Sequence, residues 1–134
     1  MTRPYDLEGF RAAVSGLKIE DNPVLVKQKS RDFYWYSPVL KRELEHVTAE
    51  IMVSPQNEDE VRAVLAAGFK FGVPVTPRGS GTGNYGQAMP LNGGALLNLA
   101  EMNKVKAISP GRVVCEPGAI LAEIDAALAP SGQE

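Results

Sequence analysis

The alternation of apolar and polar positions divides the chain into a weakly patterned leader, residues 1–48, and a strongly patterned remainder, residues 49–134. In the leader, Leu7, Phe10 and Val14 recur at helical spacing and Ser15-Gly16 ends the run. The stretch from Asp21 to Pro38 is mixed and sets Phe33, Tyr34, Trp35 and Tyr36 side by side. Such a group either anchors an arm onto the domain or offers a platform for a flat ligand.

From Glu50 the pattern sharpens. Glu50-Ile51-Met52-Val53 predicts a short strand ended by Ser54-Pro55. Asn57, with Glu60 three residues later, predicts a capped helix start, and Glu58, Asp59 and Glu60 place negative charge at its positive end. Val61, Val64, Leu65 and Phe69 are the predicted apolar stripe, and Gly72 fits the left-handed position that ends a helix. Val73-Pro74-Val75-Thr76 then predicts a second strand, with Pro74 placing it at an edge or at its own start. Strand, helix and strand in this order form a βαβ unit with parallel strands and a right-handed crossover. Ala95 to Leu99 predicts a third strand. Lys104–Ser109 and Arg112–Glu116 bracket Pro110-Gly111 as a hairpin. A last helix covers Ile120 to Ala129, with Leu121, Ile124 and Leu128 as its stripe and Pro130 as its stop. The sum is an α+β fold: a small mixed sheet with a βαβ unit and flanking helices.

Composition narrows the function classes. Lys and Arg total 14 against 16 Asp and Glu, a net charge of −2, so no basic surplus points to nucleic acid or an anionic membrane. No apolar run approaches the roughly 18 residues of a membrane helix, and the start lacks the apolar stretch of a signal peptide, which makes cytoplasmic the default expectation. Cys115 is the only cysteine and lies in Val113-Val114-Cys115, where a buried small hydrophobe is expected. With His46 as the only histidine, a structural zinc site lacks its four N/S ligands. No paired carboxylates or His-centred dyad suggest a catalytic group.

The segment from Pro77 to Gln87 follows the second strand directly and carries glycines at 79, 81, 83 and 86. Glycine permits positive φ and close backbone approach, Ser80 and Thr82 add hydroxyl donors, and Asn84 tolerates the left-handed region. Such a loop can turn successive N–H groups into a concavity that binds anions, phosphates above all. A merely tight connection is the plainer alternative. Gly81 to Gly86 spells GxGxxG, but it runs into Pro90 and Asn92-Gly93-Gly94 instead of a helix, so a Rossmann site is not formed and Glu101 is only nominally its acidic ribose partner. No Lys follows these glycines, which excludes a Walker A loop.

The blocks Pro55, Glu58-Asp59-Glu60-Val61, Val73 through Gly83, Pro90 through Gly94, Leu97-Asn98-Leu99, Met102-Asn103 and Val114 through Gly118 together resemble the start of the FAD-binding domain of FAD-linked oxidases. This is the p-cresol methylhydroxylase and vanillyl-alcohol oxidase type, nearest in flavour to the glycolate oxidase subunit and D-lactate dehydrogenase group. The resemblance implies that Arg78, Gly79, Ser80, Gly81, Thr82, Gly83 and Asn84 wrap the FAD pyrophosphate, with Gln87 close by and the Glu116-Pro117-Gly118 turn near the cofactor. Members that attach FAD through this loop carry His where Thr82 stands, so noncovalent FAD is implied. It further implies that the chain is the first subdomain only, with the remainder of the FAD domain and a substrate domain missing. The intact enzyme is then an oxidoreductase acting on a small alcohol or 2-hydroxy acid. The alternatives are a non-catalytic interaction or scaffold fragment that does not retain FAD, and a binder of another nucleotide or anion. Arg78 is expected to be exposed, and a truncated sheet is expected to self-associate through its free edge and apolar face.

Overall fold

The computed structural model describes residues 4–33 and 37–134; Tyr34, Trp35 and Tyr36 of the aromatic run lie outside the described residues. A four-stranded sheet is built from β1 (Ile19–Glu20), β2 (Ile51–Val53), β3 (Val75–Arg78) and β4 (Ala95–Asn98) in the order β1-β2-β4-β3. β1 runs antiparallel to β2, while β2, β4 and β3 are parallel. The two strands of the expected βαβ unit, β2 and β3, therefore do not touch; β4 inserts between them.

Side chains alternate across this sheet as the strand period requires. Ile51, Val53, Ala95 and Leu97 face one core, completed by Leu7, Phe10 and Val14 of the leader and by Val64 and Ala67. Met52 and Leu96 face a smaller one with Val26 and Ala49. The leader thus adds α1 (Leu7–Ala13) and α2 (Pro23–Lys29) to the two clusters, and α3 (Pro38–Leu44) leads back toward β2. Side chains set these starts: Asp6 accepts from Gly9 N–H, Asn22 from Val24 N–H and Ser37 from Leu40 N–H.

The long helix α4 (Glu58–Phe71) starts as the sequence predicts. Asn57 accepts from Glu60 N–H at 3.0 Å, and the Glu60 carboxylate accepts from Gln56 N–H at 2.8 Å. It ends at Gly72 with φ 68°. Its buried face differs from the expected stripe. Val64, Ala67 and Gly68 are buried, whereas Leu65 is 49% and Phe69 92% exposed. A Cβ at Gly68 would stand 2.7 Å from Val75 and 3.1 Å from the Val73 carbonyl. The helix lies so close on β3 that its contact face must be small, and hydrophobicity alone points to the wrong side.

β3 begins at Val75, later than predicted, with Pro74 just before it. Ala95 N–H donates to the Pro74 carbonyl and Leu99 N–H to that of Arg78. By alternation the N–H groups of positions 75 and 77 face away from β4, and Pro77 has none. The open edge therefore offers little for strand addition.

β5 (Val105–Ser109) and β6 (Arg112–Cys115) form the predicted hairpin, with Gly111 at φ 71° in its turn. α5 (Leu121–Leu128) follows, burying Ile124 and Leu128 but leaving Leu121 78% exposed. Cys115 is exposed, contrary to the sequence expectation. The hairpin is a two-stranded sheet separate from the four-stranded one, with α5 in contact with β5. No described helix is long and apolar enough to cross a membrane.

The rotated face of α4 sets a stability test. Val64→Ala should lower unfolding free energy by about 2 kcal/mol, whereas Phe69→Ser should change it by no more than about 0.5 kcal/mol, both read by urea denaturation. Equal losses would restore the sequence-derived stripe.

Candidate functional site

The carboxyl ends of the parallel strands collect polar residues. Ser54 follows β2, and Asn98 ends β4; both are buried, and Asn98 Nδ2 donates to Ser54 Oγ at 3.0 Å. Arg78 ends β3 in register with Asn98. Ligands of open α/β sheets gather at this end.

From Arg78 the chain must return the length of the sheet, because β4 is parallel to β3 and adjacent to it. Such returns are usually helical. Here residues 79–94 contain no helix or strand. A helix would have consumed the amides internally; among the described residues the backbone N–H groups of residues 79–84 make no hydrogen bond. Gly81 and Gly86 have φ of 69° and 83°, the left-handed region that glycine enters without strain. Farther along, Met89 and Pro90 are buried, and Gly94 N–H is taken up by Glu50 and by the Tyr5 hydroxyl.

The loop is held from outside by residues 31–33. Arg78 Nη1 donates to the Arg31 carbonyl at 2.7 Å, Phe33 N–H to the Gly81 carbonyl at 3.0 Å, and Gly86 N–H to Asp32 Oδ2 at 2.6 Å. Within the loop, Tyr85 N–H donates to Gln87 Oε1 at 3.0 Å, and its later half is shaped by bonds from Met89 N–H to the Gly86 carbonyl, Leu91 N–H to the Met89 carbonyl and Gly93 N–H to the Pro90 carbonyl. The Glu116-Pro117-Gly118 turn lies alongside. A Cβ at Gly79 would be 3.7 Å from the Pro117 carbonyl oxygen, and one at Gly118 would run into the Leu99 carbonyl.

Of the residues singled out by sequence, Gly79, Ser80, Gly81, Thr82, Gly83, Asn84 and Gln87 all fall on this loop, with Ser80, Thr82 and Gln87 exposed. Arg78 departs from expectation: it is 7% exposed, not a surface charge. Burial pulls its pKa down, and the negative charge of Asp32 acts in the opposite sense. Its guanidinium fills the space where a Gly81 side chain would stand. Gly81 is therefore required first by the chain's own arginine, whereas the space beside Gly79 is open. Gly83 lies close to Gln87, whose Oε1 would be 2.8 Å from an added Cβ.

Arg31 and Asp32 were not identified from the sequence as site residues, and Phe33 only as a member of the aromatic run. Only adjacency of a charged pair to the aromatic run marks them there, and that carries no loop contact. Glu101 is held by Lys18 Nζ at 2.5 Å and Gln56 Nε2 at 2.8 Å, bonds that lower its pKa. It forms part of a surface bridge and no ribose site. Glu116 is likewise held below the usual carboxylate range, first by the Lys104 N–H. Among the described residues, no group of three His, Cys, Asp or Glu could hold a metal ion.

A dinucleotide diphosphate fits the chemistry of this loop: unpaired amides, two exposed hydroxyls, and a glycine with room beside it. Comparisons with known proteins give the family of the chain. The family model described as "FAD binding domain" matches residues 49–134. An uncharacterized FAD-linked oxidoreductase of Mycobacterium tuberculosis is 42% identical over 80 residues, covering 58% of this chain and 17% of that protein. The glycolate oxidase subunit GlcD of Escherichia coli is 38% identical over 82 residues, covering 60% of this chain and 16% of that protein. The chain thus spans about a sixth of the length of these relatives. An alkyldihydroxyacetonephosphate synthase structure superimposes with a TM-score of 0.78 over 98% of this chain and 26% of that one, at 17% identity. p-Cresol methylhydroxylase gives 0.71 over 94% and 24%, at 18% identity. Both show the same fold. With the family model covering more than half of its residues, the chain belongs to the FAD-binding domain family of FAD-dependent oxidoreductases.

Proposed function

We propose that this chain is the diphosphate-holding part of the FAD site of a flavin oxidoreductase, and that residues 79–84 are the cradle. The run of unbonded amides at the carboxyl end of the parallel sheet carries this reading. Diphosphate oxygens accept hydrogen bonds from those amides and from the Ser80 and Thr82 hydroxyls. Arg78 acts from beneath: buried and bonded to the Arg31 carbonyl, it adds positive charge and props Gly81. Thr82 is no ready nucleophile, so the cofactor is held noncovalently by this loop. When bound, FAD supplies the redox chemistry, taking a hydride equivalent from a small alcohol or 2-hydroxy acid. The residues of this chain contribute position and charge, and no proton transfer is assigned to them.

The names of the relatives support a reading of the whole protein's substrate class. The glycolate oxidase subunit and a D-lactate dehydrogenase of Archaeoglobus fulgidus, 35% identical over 76 residues, carry 2-hydroxy acids in their names, which supports that substrate class. On the hairpin and α5, Ile108, Val114 and Leu121 are 39%, 40% and 78% exposed, with Ile108 and Val114 on opposite hairpin faces, and these exposed apolar residues suit cover by the remainder of an FAD domain or by a second copy. Self-association through these exposed apolar residues, not by the Pro77-blunted edge, is the form consistent with this geometry. The scaffold alternative differs in one observable, retention of FAD.

The discriminating variant is Gly79→Ala. Its Cβ meets only the Pro117 carbonyl oxygen at 3.7 Å and its φ is not positive, so the chain itself accommodates it. FAD affinity, read by flavin fluorescence quenching and gel filtration, should still fall by about tenfold or more through a blocked approach. ADP, which shares the diphosphate, should compete. Parent-like FAD binding by Gly79→Ala, or no retention of FAD by the parent chain, would contradict the cradle. Gly81→Val is less informative because it also displaces Arg78. Arg78→Ala should both weaken FAD and destabilise the chain by about 3 kcal/mol, since it leaves the buried Asp32 carboxylate uncompensated; an unchanged Tm would contradict its buried role.

A further inference from the structure

The glycine-rich half of the return loop has glycines at 79, 81, 83 and 86, and among the described residues the amides of residues 79–84 make no bond to the rest of the loop, so its conformation has to be imposed from elsewhere. Of the three pins that residues 31–33 place on this half, two are main-chain groups, of Arg31 and Phe33, which many residue types could supply. The third is a side chain. We propose that Asp32 is the positioning residue of this loop: by clamping Gly86 N–H it keeps the amides of residues 79–84 from finding partners within the chain. The inference rests on the reading of those amides as a diphosphate cradle and extends it to a residue outside the loop.

Three observations carry it. Asp32 is 7% exposed and accepts from Gly86 N–H at 2.6 Å across 54 positions of sequence. The clamp is itself anchored. Ser30 is fully buried; its Oγ donates to the Val26 carbonyl at 2.8 Å and accepts from Ala49 N–H at 3.0 Å, tying the segment to the approach to β2. On the other side, Arg31 Nη2 donates to the Glu45 carbonyl at 3.0 Å. Asp32 therefore cannot follow the loop if the loop shifts. Finally, Asp32 Oδ1 and Arg31 Nε are buried without hydrogen-bond partners. Buried polar atoms are seldom left so. A carboxylate placed there also opposes an approaching anion, even with Arg78 nearby. Its persistence is explained by the geometry it imposes on Gly86, not by favourable charge.

This separates the clamp from the charge. Asp32→Asn keeps an acceptor for Gly86 N–H and removes the negative charge; Asp32→Ala removes both. Amide exchange at Gly86, measured by NMR on the full chain without ligand, tests the clamp alone. Asp32→Ala should speed Gly86 exchange about tenfold or more, beyond any change at Leu96 in the sheet, and Asp32→Asn should restore slow exchange. FAD affinity, read by fluorescence quenching, should fall about tenfold in Asp32→Ala and return in Asp32→Asn to the parent value or above. A role in folding alone would slow or speed Leu96 and Gly86 together and would not be rescued in this pattern. Gly86 exchange unchanged in Asp32→Ala, or Asn behaving as Ala, overturns the proposal. If Asp32→Ala does not fold, Asp32→Glu, which moves the carboxylate by one methylene, takes its place and should also speed Gly86 exchange. Failure of the parent to bind FAD would refute the cradle, while the exchange data would still decide the clamp.

Discussion

Two adjacent parallel strands joined without a helix impose the constraint on which the rest of the site depends. The end of β3 and the start of β4 lie at opposite ends of the sheet, so residues 79–94 must cross its length. A helical crossover satisfies its own backbone. A glycine-rich one does not, and leaves a run of amides to be bonded by something else. The same feature explains why the loop needs outside support. Arg31, Asp32 and Phe33 provide that support, and the leader that carries them also completes both hydrophobic clusters. The leader and the remainder thus form one packed unit even though their sequence patterning differs.

Much of the fold was legible because strong local signals agreed. The Asn57–Glu60 cap, Gly72 and the Pro110-Gly111 turn each fix a boundary through backbone chemistry that does not depend on distant contacts. Errors arose where tertiary contacts decide. Gly68 meets Val75, so α4 packs through small residues and turns Phe69 to solvent. β4 inserts between β2 and β3, which no local pattern announces. Cys115 lies in an apolar run but ends a strand of the separate two-stranded sheet and is exposed there.

The loop itself was visible from its glycines, and its neighbourhood was not. Arg78 looked like a surface charge because a short polar segment follows it; burial comes from a leader segment 47 positions away. Asp32 had no motif to mark it. Gly81 and Gly79 are identical in the sequence, yet one makes room for an arginine of the same chain, while a Cβ at the other would meet only the Pro117 carbonyl oxygen, at 3.7 Å. That difference exists only in three dimensions, and it separates a glycine kept for folding from one available for binding.

Membership in the FAD-binding domain family gives the chain its ligand class, and we assign that ligand, as a proposal, to the unpaired amides of residues 79–84. The most direct measurement is a two-dimensional amide NMR titration of the chain with FAD. The amide signals of residues 79–84 should shift together and saturably, while Gly86, already bonded to Asp32, should move little. Saturable shifts located elsewhere, with residues 79–84 unmoved, would contradict the assignment of the cradle.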